Sequence, residues 1–225
     1  KIGVNCIGKQ VFPRTGAYTA AMIRQVILNE KRIVFTIPEA IPERPPVLCA
    51  GCPHRAVFHV LQKMHVTVSG DIGCYSLGAM EPFSAMDTNV CMGASISMLH
   101  GMEKALGKQF AKNSVAVIGD STFFHSGMTA LLNVVYNKGI STVLILDNHT
   151  TAMTGHQDHA ATGQTLQGMP VEPVNLKEIC KALGVKRVYQ LDPVNIAEVE
   201  TRLKIELDTK EPSVLILKHP CALLQ

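Results

Sequence analysis

What most restricts the folds open to this chain is an alternation of two kinds of segment. Short apolar runs rich in β-branched residues occur at Val66–Ser69, Val115–Ile118, Val143–Leu146, Arg187–Gln190 and Val214–Leu217. Between them lie longer stretches with apolar residues at helical spacing: Ala56–Met64, Ala94–Ala105, Gly127–Tyr136, Leu176–Ala182 and Ile196–Leu207. Strand and helix patterns taking turns read as βαβ units, which assemble into a parallel sheet with helices on both faces. The expected fold class is therefore α/β. At 225 residues, 47% hydrophobic, the chain has material for one sizeable core. Residues 1–46 read as an N-terminal arm and linker, and 47–225 as the domain proper. The arm holds a turn at Val11-Phe12-Pro13-Arg14-Thr15-Gly16 and helical periodicity from Ala17 to Leu28. A proline-rich stretch follows, from Ile37-Pro38 to Pro45-Pro46; it is extended because proline fixes its own φ and bars the preceding residue from the helical region.

In open parallel sheets ligands bind outside the carboxyl ends of the strands. Two such ends carry oxygen donors. The run Ser114–Ile118 passes into Gly119-Asp120-Ser121, with a helix expected to follow near His125, and the run Thr142–Leu146 ends in Asp147-Asn148. Between Ser121 and Asn148 lie 26 residues, 122 to 147. Neighbouring parallel strands bring such ends side by side, and Mg²⁺ takes oxygen ligands that it shares with phosphates. The metal set read here is Asp120, the side-chain oxygen of Asn148 and the backbone carbonyl of Thr150. A helix N-terminus beside it offers amides to a diphosphate. The competing reading is an ordinary strand-to-helix turn with Asp120 as its cap. The stretch from Asn148 to Pro173 has no strong periodicity, and loops of that length in a compact domain are commonly functional.

Seven cysteines form an odd set without a signal-peptide pattern. This favours a reducing, cytoplasmic setting with thiolates used for metal or redox work. Cys49-Ala50-Gly51-Cys52 is a Cys-x-x-Cys pair, Cys74 closes Gly70-Asp71-Ile72-Gly73-Cys74, and Cys221 follows the last apolar run in His219-Pro220-Cys221. Four soft ligands on small-residue turns suit an iron–sulfur cluster, here a 4Fe–4S cluster. A zinc site built from the same four is the rival. Cys6, Cys91 and Cys180 have no ligand spacing and read as core or surface thiols. Net charge is +3, with no basic block, and no stretch approaches the length of a membrane span. Neither nucleic acid nor membrane is expected as a partner.

The Gly119-Asp120 and Asn148 spacing resembles the metal-holding motif of thiamine-diphosphate enzymes, with Ser121 where that motif has a third-position glycine. Cys91-Met92-Gly93-Ala94 resembles the segment where a bulky residue wedges under the bent cofactor. Met92 is the candidate wedge, and plain core is its alternative reading. With the cysteines, the chain resembles the thiamine-binding part of a 2-oxoacid:ferredoxin oxidoreductase, in particular the large subunit of the indolepyruvate branch. Four segments carry the narrower likeness: the turn at residues 11–16, Cys49-Ala50-Gly51-Cys52-Pro53-His54-Arg55, Gly119-Asp120-Ser121-Thr122-Phe123-Phe124-His125 and Thr151-Ala152-Met153-Thr154-Gly155-His156-Gln157. The resemblance implies a parallel-sheet thiamine-diphosphate-binding domain of the diphosphate-holding type. It also implies oxidative decarboxylation of an aryl-2-oxoacid to an acyl-CoA, with coenzyme A as acceptor and ferredoxin as electron partner. Cofactor contacts are expected from Gly70, Asp71, Ile72, Gly73, Met92, Gly93, Gly119, Asp120, Ser121, Asn148, Thr150, Met153 and Thr154. Cys49, Cys52, Cys74 and Cys221 are expected to hold the cluster.

His54, His125, His149, His156 and His159 crowd the expected site. His54 and His156, inside motif loops, are the candidate catalytic donors, whereas His149 and His159 read as solvent-loop residues. The activating glutamate and its pyrimidine-binding domain have no place in 225 residues. The chain is thus expected to be a portion of a larger subunit, or one subunit of a split enzyme, that oligomerises or takes a partner subunit. Two alternatives stay open: a non-oxidative thiamine-dependent 2-oxoacid decarboxylase, and a zinc-stapled interaction module.

Overall fold

The computed structural model describes residues 3, 7–31, 38, 40 and 42–224. The readings of Cys6 and of part of the proline-rich stretch (37, 39 and 41) lie outside the described residues. The chain divides into two units, Lys1–Pro45 and Pro46–Gln225. In the first, α1 (Ala20–Leu28) starts later than its periodicity because the Thr19 hydroxyl accepts from the Met22 amide at 3.3 Å and caps the helix. It ends at Asn29 in the left-handed region, and none of its residues is buried.

The second unit carries α2 (His54–Met64), β1 (Thr67–Gly70), β2 (Thr88–Asn89), α3 (Ser95–Leu106), α4 (Lys108–Ala111) and β3 (Ser114–Gly119). It continues with α5 (Asp120–Thr122), α6 (Met128–Tyr136), β4 (Thr142–Asp147), α7 (Leu176–Ala182), β5 (Arg187–Leu191), α8 (Ile196–Leu207) and β6 (Ser213–Lys218). The strands form one parallel sheet in the order β2-β1-β3-β4-β6-β5.

Strand side chains alternate between faces, so each central strand feeds two cores. Val115, Val117, Leu144, Leu146, Leu215 and Leu217 meet Phe58 and Leu61 of α2 and Leu203 of α8 on one side. Ala116, Ile118, Val143, Ile145, Val214 and Ile216 meet Leu99 of α3, Leu131 of α6 and Cys180 of α7 on the other. Burial on both faces is why these strands read as continuous apolar runs rather than alternating ones. Each fully buried Leu, Ile or Val stabilises the fold by roughly 1.5–3 kcal/mol. The sequence pattern did not show β2 or α4, which at two and four residues are shorter than any periodicity can register. No described helix is long and apolar enough to cross a membrane.

Candidate functional site

From β1 the chain runs to β2 on one side, while β3 lies on the other. Open sheets bind ligands at such a reversal of strand order. A cleft opens there. Its walls are Ile72, Gly73, Cys74 and Tyr75 after β1, Gly119–Thr122 after β3, and Leu146, Asn148 and Thr150–Thr154 after β4, with His54 and Met92 completing them. Among the described part of the long loop, residues 148–173, only a short helical turn at Ala152–Thr154 and two isolated bridges occur.

The strand-to-helix junction is tighter than expected. Helix α5 begins at Asp120 itself rather than near His125, and Phe123–Gly127 forms a widened π-helical turn before α6; such turns are frequent at functional sites. Asp120 is 2% exposed. Its Oδ1 accepts from the Ser121 amide at 2.8 Å and its Oδ2 from the His149 amide at 3.1 Å. Asn148 and Thr150 are buried beside it, and Asn148 Oδ1 accepts from the Thr150 amide at 3.4 Å. Ser121, the departure from the motif's glycine, accepts a hydrogen bond from Thr151 Oγ1 at 2.8 Å and so joins the two loops. Asp147 is a buried second carboxylate: burial raises its pKa above the ordinary carboxylate range, and the charge of Asp120 raises it further. His149 and Lys218, whose Nζ stands 3.6 Å from Asp147 Oδ2, oppose that rise. The hard-oxygen donor set suits Mg²⁺.

Three expected cofactor contacts stand behind the cleft wall. Gly70 packs against Met86. Asp71 is fully buried; its Oδ1 accepts from the amides of Ile72 and Gly93 at 2.8 and 2.6 Å and its Oδ2 from the Ser95 amide at 2.9 Å. Both its oxygens are used on backbone, and their effect is to fix the Met92–Gly93 turn and the first turn of α3. Gly93 sits at φ +88°, where a Cβ would lie 1.8 Å from Ser126 Oγ. Gly93→Ala is expected to lower stability by roughly 2–4 kcal/mol, combining the left-handed penalty with overpacking. It should also displace Met92; the melting temperature and cofactor binding of the variant measure both. Met92 itself is 42% exposed on the cleft wall, so it is not core.

Tyr75 was missed by sequence reading. It is buried, its hydroxyl donates to the Ile72 carbonyl at 2.7 Å, and its ring fills the space a Cβ would need at Gly73 and Gly119. The glycines flanking it were the available signal. The ring of His54 stands edge-on to Tyr75, with centroids 6.0 Å apart. Burial pushes the His54 imidazole down to about 4, against a partial lift from Asp120. His54 is therefore a neutral donor or acceptor at neutral pH.

A second cleft is lined by all four expected cluster cysteines. Cys49 and Cys52 close a turn through the Cys52 amide on the Cys49 carbonyl at 3.2 Å. Cys221 donates its amide to the Asn148 carbonyl at 3.1 Å, which continues the β4–β6 ladder past the strands. Burial raises the Cys52 thiol to about 11, and the neighbouring Cys49, Cys221 and Cys74 add to the rise; Cys74 is raised for the same reasons. Among the described residues no three His, Cys, Asp or Glu side chains converge as ligands of a single ion. His156, expected at the first cleft, is exposed and lines only this second one. Cys91 is exposed and Cys180 buried, and both lie apart from the two clefts.

Residues 71–217 match the family described as "Thiamine pyrophosphate enzyme, C-terminal TPP binding domain". Of curated relatives, "Indolepyruvate oxidoreductase subunit IorA" of Pyrococcus abyssi is 39% identical across 99% of this chain, which covers 38% of that protein. The subunit of the same name from Methanothermobacter thermautotrophicus is 41% identical across 81% of the chain and 30% of its own length. The chain thus spans well under half the length of these relatives. Of solved structures, a 2-oxoglutarate:ferredoxin oxidoreductase from Magnetococcus marinus superposes with TM-score 0.66 at 17% identity, covering 80% of this chain and 66% of that one. Benzoylformate decarboxylase from Polynucleobacter necessarius gives 0.56 at 15%, over 83% and 35%. At these identities the two share its fold.

Proposed function

The chain belongs to the thiamine pyrophosphate enzymes through their C-terminal TPP binding domain, and on that premise we propose that it is the cofactor-holding, cluster-bearing part of an indolepyruvate (aryl-2-oxoacid):ferredoxin oxidoreductase. One observation carries the reading: the cofactor cleft and the cysteine cleft share a wall, with His54, Cys74, Asn148 and Ala152 lining both. When bound, thiamine diphosphate supplies the carbon nucleophile and electron sink for decarboxylating a 2-oxoacid, and a 4Fe–4S cluster supplies the one-electron acceptor.

The chain's own residues then have separable tasks. Asp120, Asn148 and Thr150 would hold Mg²⁺ and through it the diphosphate. Met92 would support the bent cofactor from below, and Met153 and Thr154 would close the cleft beside it. Cys49, Cys52, Cys74 and Cys221 would hold the cluster. His54, kept neutral by burial, would offer a hydrogen bond between the two groups without adding charge. The names of the curated relatives support indolepyruvate as the substrate class. The Magnetococcus structure is described with coenzyme A bound, which supports coenzyme A as acyl acceptor and ferredoxin as electron partner. The activating glutamate would come from a pyrimidine-binding domain elsewhere in a longer subunit or in a partner.

The test is the metal content of the assembled enzyme purified without oxygen. Close to four irons and four sulfides per chain, with a visible charge-transfer spectrum, is the expected result. Zinc, or colourless protein that still decarboxylates, would remove electron transfer and leave the non-oxidative decarboxylase.

A further inference from the structure

The long loop after β4 sends one side chain back under the metal-binding carboxylate. His159, read from the sequence as a solvent-loop residue, has a side chain 7% exposed, and its Nε2 stands 3.2 Å from Asp120 Oδ2. That nitrogen is buried and off the line of a full hydrogen bond, and it has no other partner. The Ala161 amide donates to Nδ1 at 3.3 Å, so Nδ1 is the acceptor and the ring proton sits on Nε2, facing Asp120. The ring is held on a tight turn. The His159 amide donates to Thr162 Oγ1 at 3.2 Å, and the His159 carbonyl accepts from the Thr162 amide at 3.0 Å and from its hydroxyl at 2.9 Å. The Phe124 ring packs against it with centroids 6.0 Å apart.

We propose that His159 is a positioning residue: its Nε2–H orients the Asp120 carboxylate for the divalent cation, so that the long loop helps to set metal affinity from outside the ligand set. This rests on the reading of Asp120 as a metal ligand. Groups that donate to a coordinating carboxylate fix its rotamer, and their loss typically lowers metal affinity 10- to 100-fold. A histidine placed for packing alone would be replaceable by another ring of its size.

The assembled enzyme, stripped of divalent ions and supplied with thiamine diphosphate, is titrated with Mn²⁺ while free Mn²⁺ is followed by electron paramagnetic resonance. His159→Phe fills the space without a donor, and His159→Asn carries an amide too short to reach Asp120. Both are expected to weaken cofactor-dependent Mn²⁺ binding about 10- to 100-fold, whereas His159→Gln, with an amide nitrogen at the Nε2 distance, stays within about threefold of the native enzyme. Melting temperatures without cofactor identify any variant that fails to fold, and the remaining pair still decides the matter. Native-like Mn²⁺ binding by the Phe or Asn variant, or a loss in His159→Gln as large as theirs, would overturn the proposal. Asp120→Asn serves as the reference: if it too binds Mn²⁺ normally, the metal-site reading fails, and the role of His159 with it.

Discussion

Cys49→Ser is expected to lower ferredoxin reduction by roughly 10³-fold or more, equivalent to over 4 kcal/mol of barrier, while the enzyme keeps its thiamine diphosphate. Cys49 lines only the cysteine cleft and is exposed, so its replacement leaves the cofactor walls in place and costs the fold little. What it removes is one of the four proposed cluster ligands, and a serine hydroxyl is a poor substitute for a soft ligand. Iron and sulfide content, bound cofactor and dye or ferredoxin reduction are measured on the same sample. Unchanged electron transfer with full iron content would show that Cys49 is not a ligand. Loss of cofactor together with iron would show that the two clefts are not separable as drawn. Cys74 is the contrasting position because it lines both clefts, and Cys74→Ser is expected to disturb both groups.

Asp120→Asn is expected to weaken cofactor and Mg²⁺ binding by more than about 100-fold, exceeding the loss typical of a group outside the ligand set. Its effect on the empty fold is a balance of two terms. Asp120 and Asp147 are both buried, and the charge of Asp120 adds to the burial that raises the Asp147 carboxyl. Neutralising one partner relieves that repulsion, while the amide oxygen can accept from the Ser121 amide but the amide nitrogen sets a donor against the His149 amide. Melting without cofactor should therefore change far less than cofactor binding does. A ligand present at a hundred times its dissociation constant stabilises by about 2.7 kcal/mol, worth roughly 5–10 °C in a domain of this size. That increment should vanish in the variant. A cofactor-induced shift equal to the native one would end the assignment of Asp120 as metal ligand.

The alternation of apolar runs and amphipathic stretches dictated the parallel sheet, because a strand buried on both faces has to be apolar at every position, as Val143, Leu144, Ile145 and Leu146 are. Asp120 and Asn148 were legible for a related reason: residues that end neighbouring strands share an edge whatever the intervening chain does. The likeness of both segments to known motifs then supplied a chemistry for that edge. Composition carried no information on Asp71, which looks like a cofactor contact in its glycine-rich turn yet has both oxygens committed to backbone amides 22 and 24 residues away. It carried none on Tyr75 or His159 either. The ring of Tyr75 matters because Gly73, in the turn after β1, and Gly119, at the end of β3, leave room for it. His159 reaches Asp120 only because a loop without periodicity folds back on itself. Periodicity and spacing report what the backbone repeats. Which side chain meets which across a loop depends on hydrogen bonds and close packing between distant segments, and only the tertiary structure decides that.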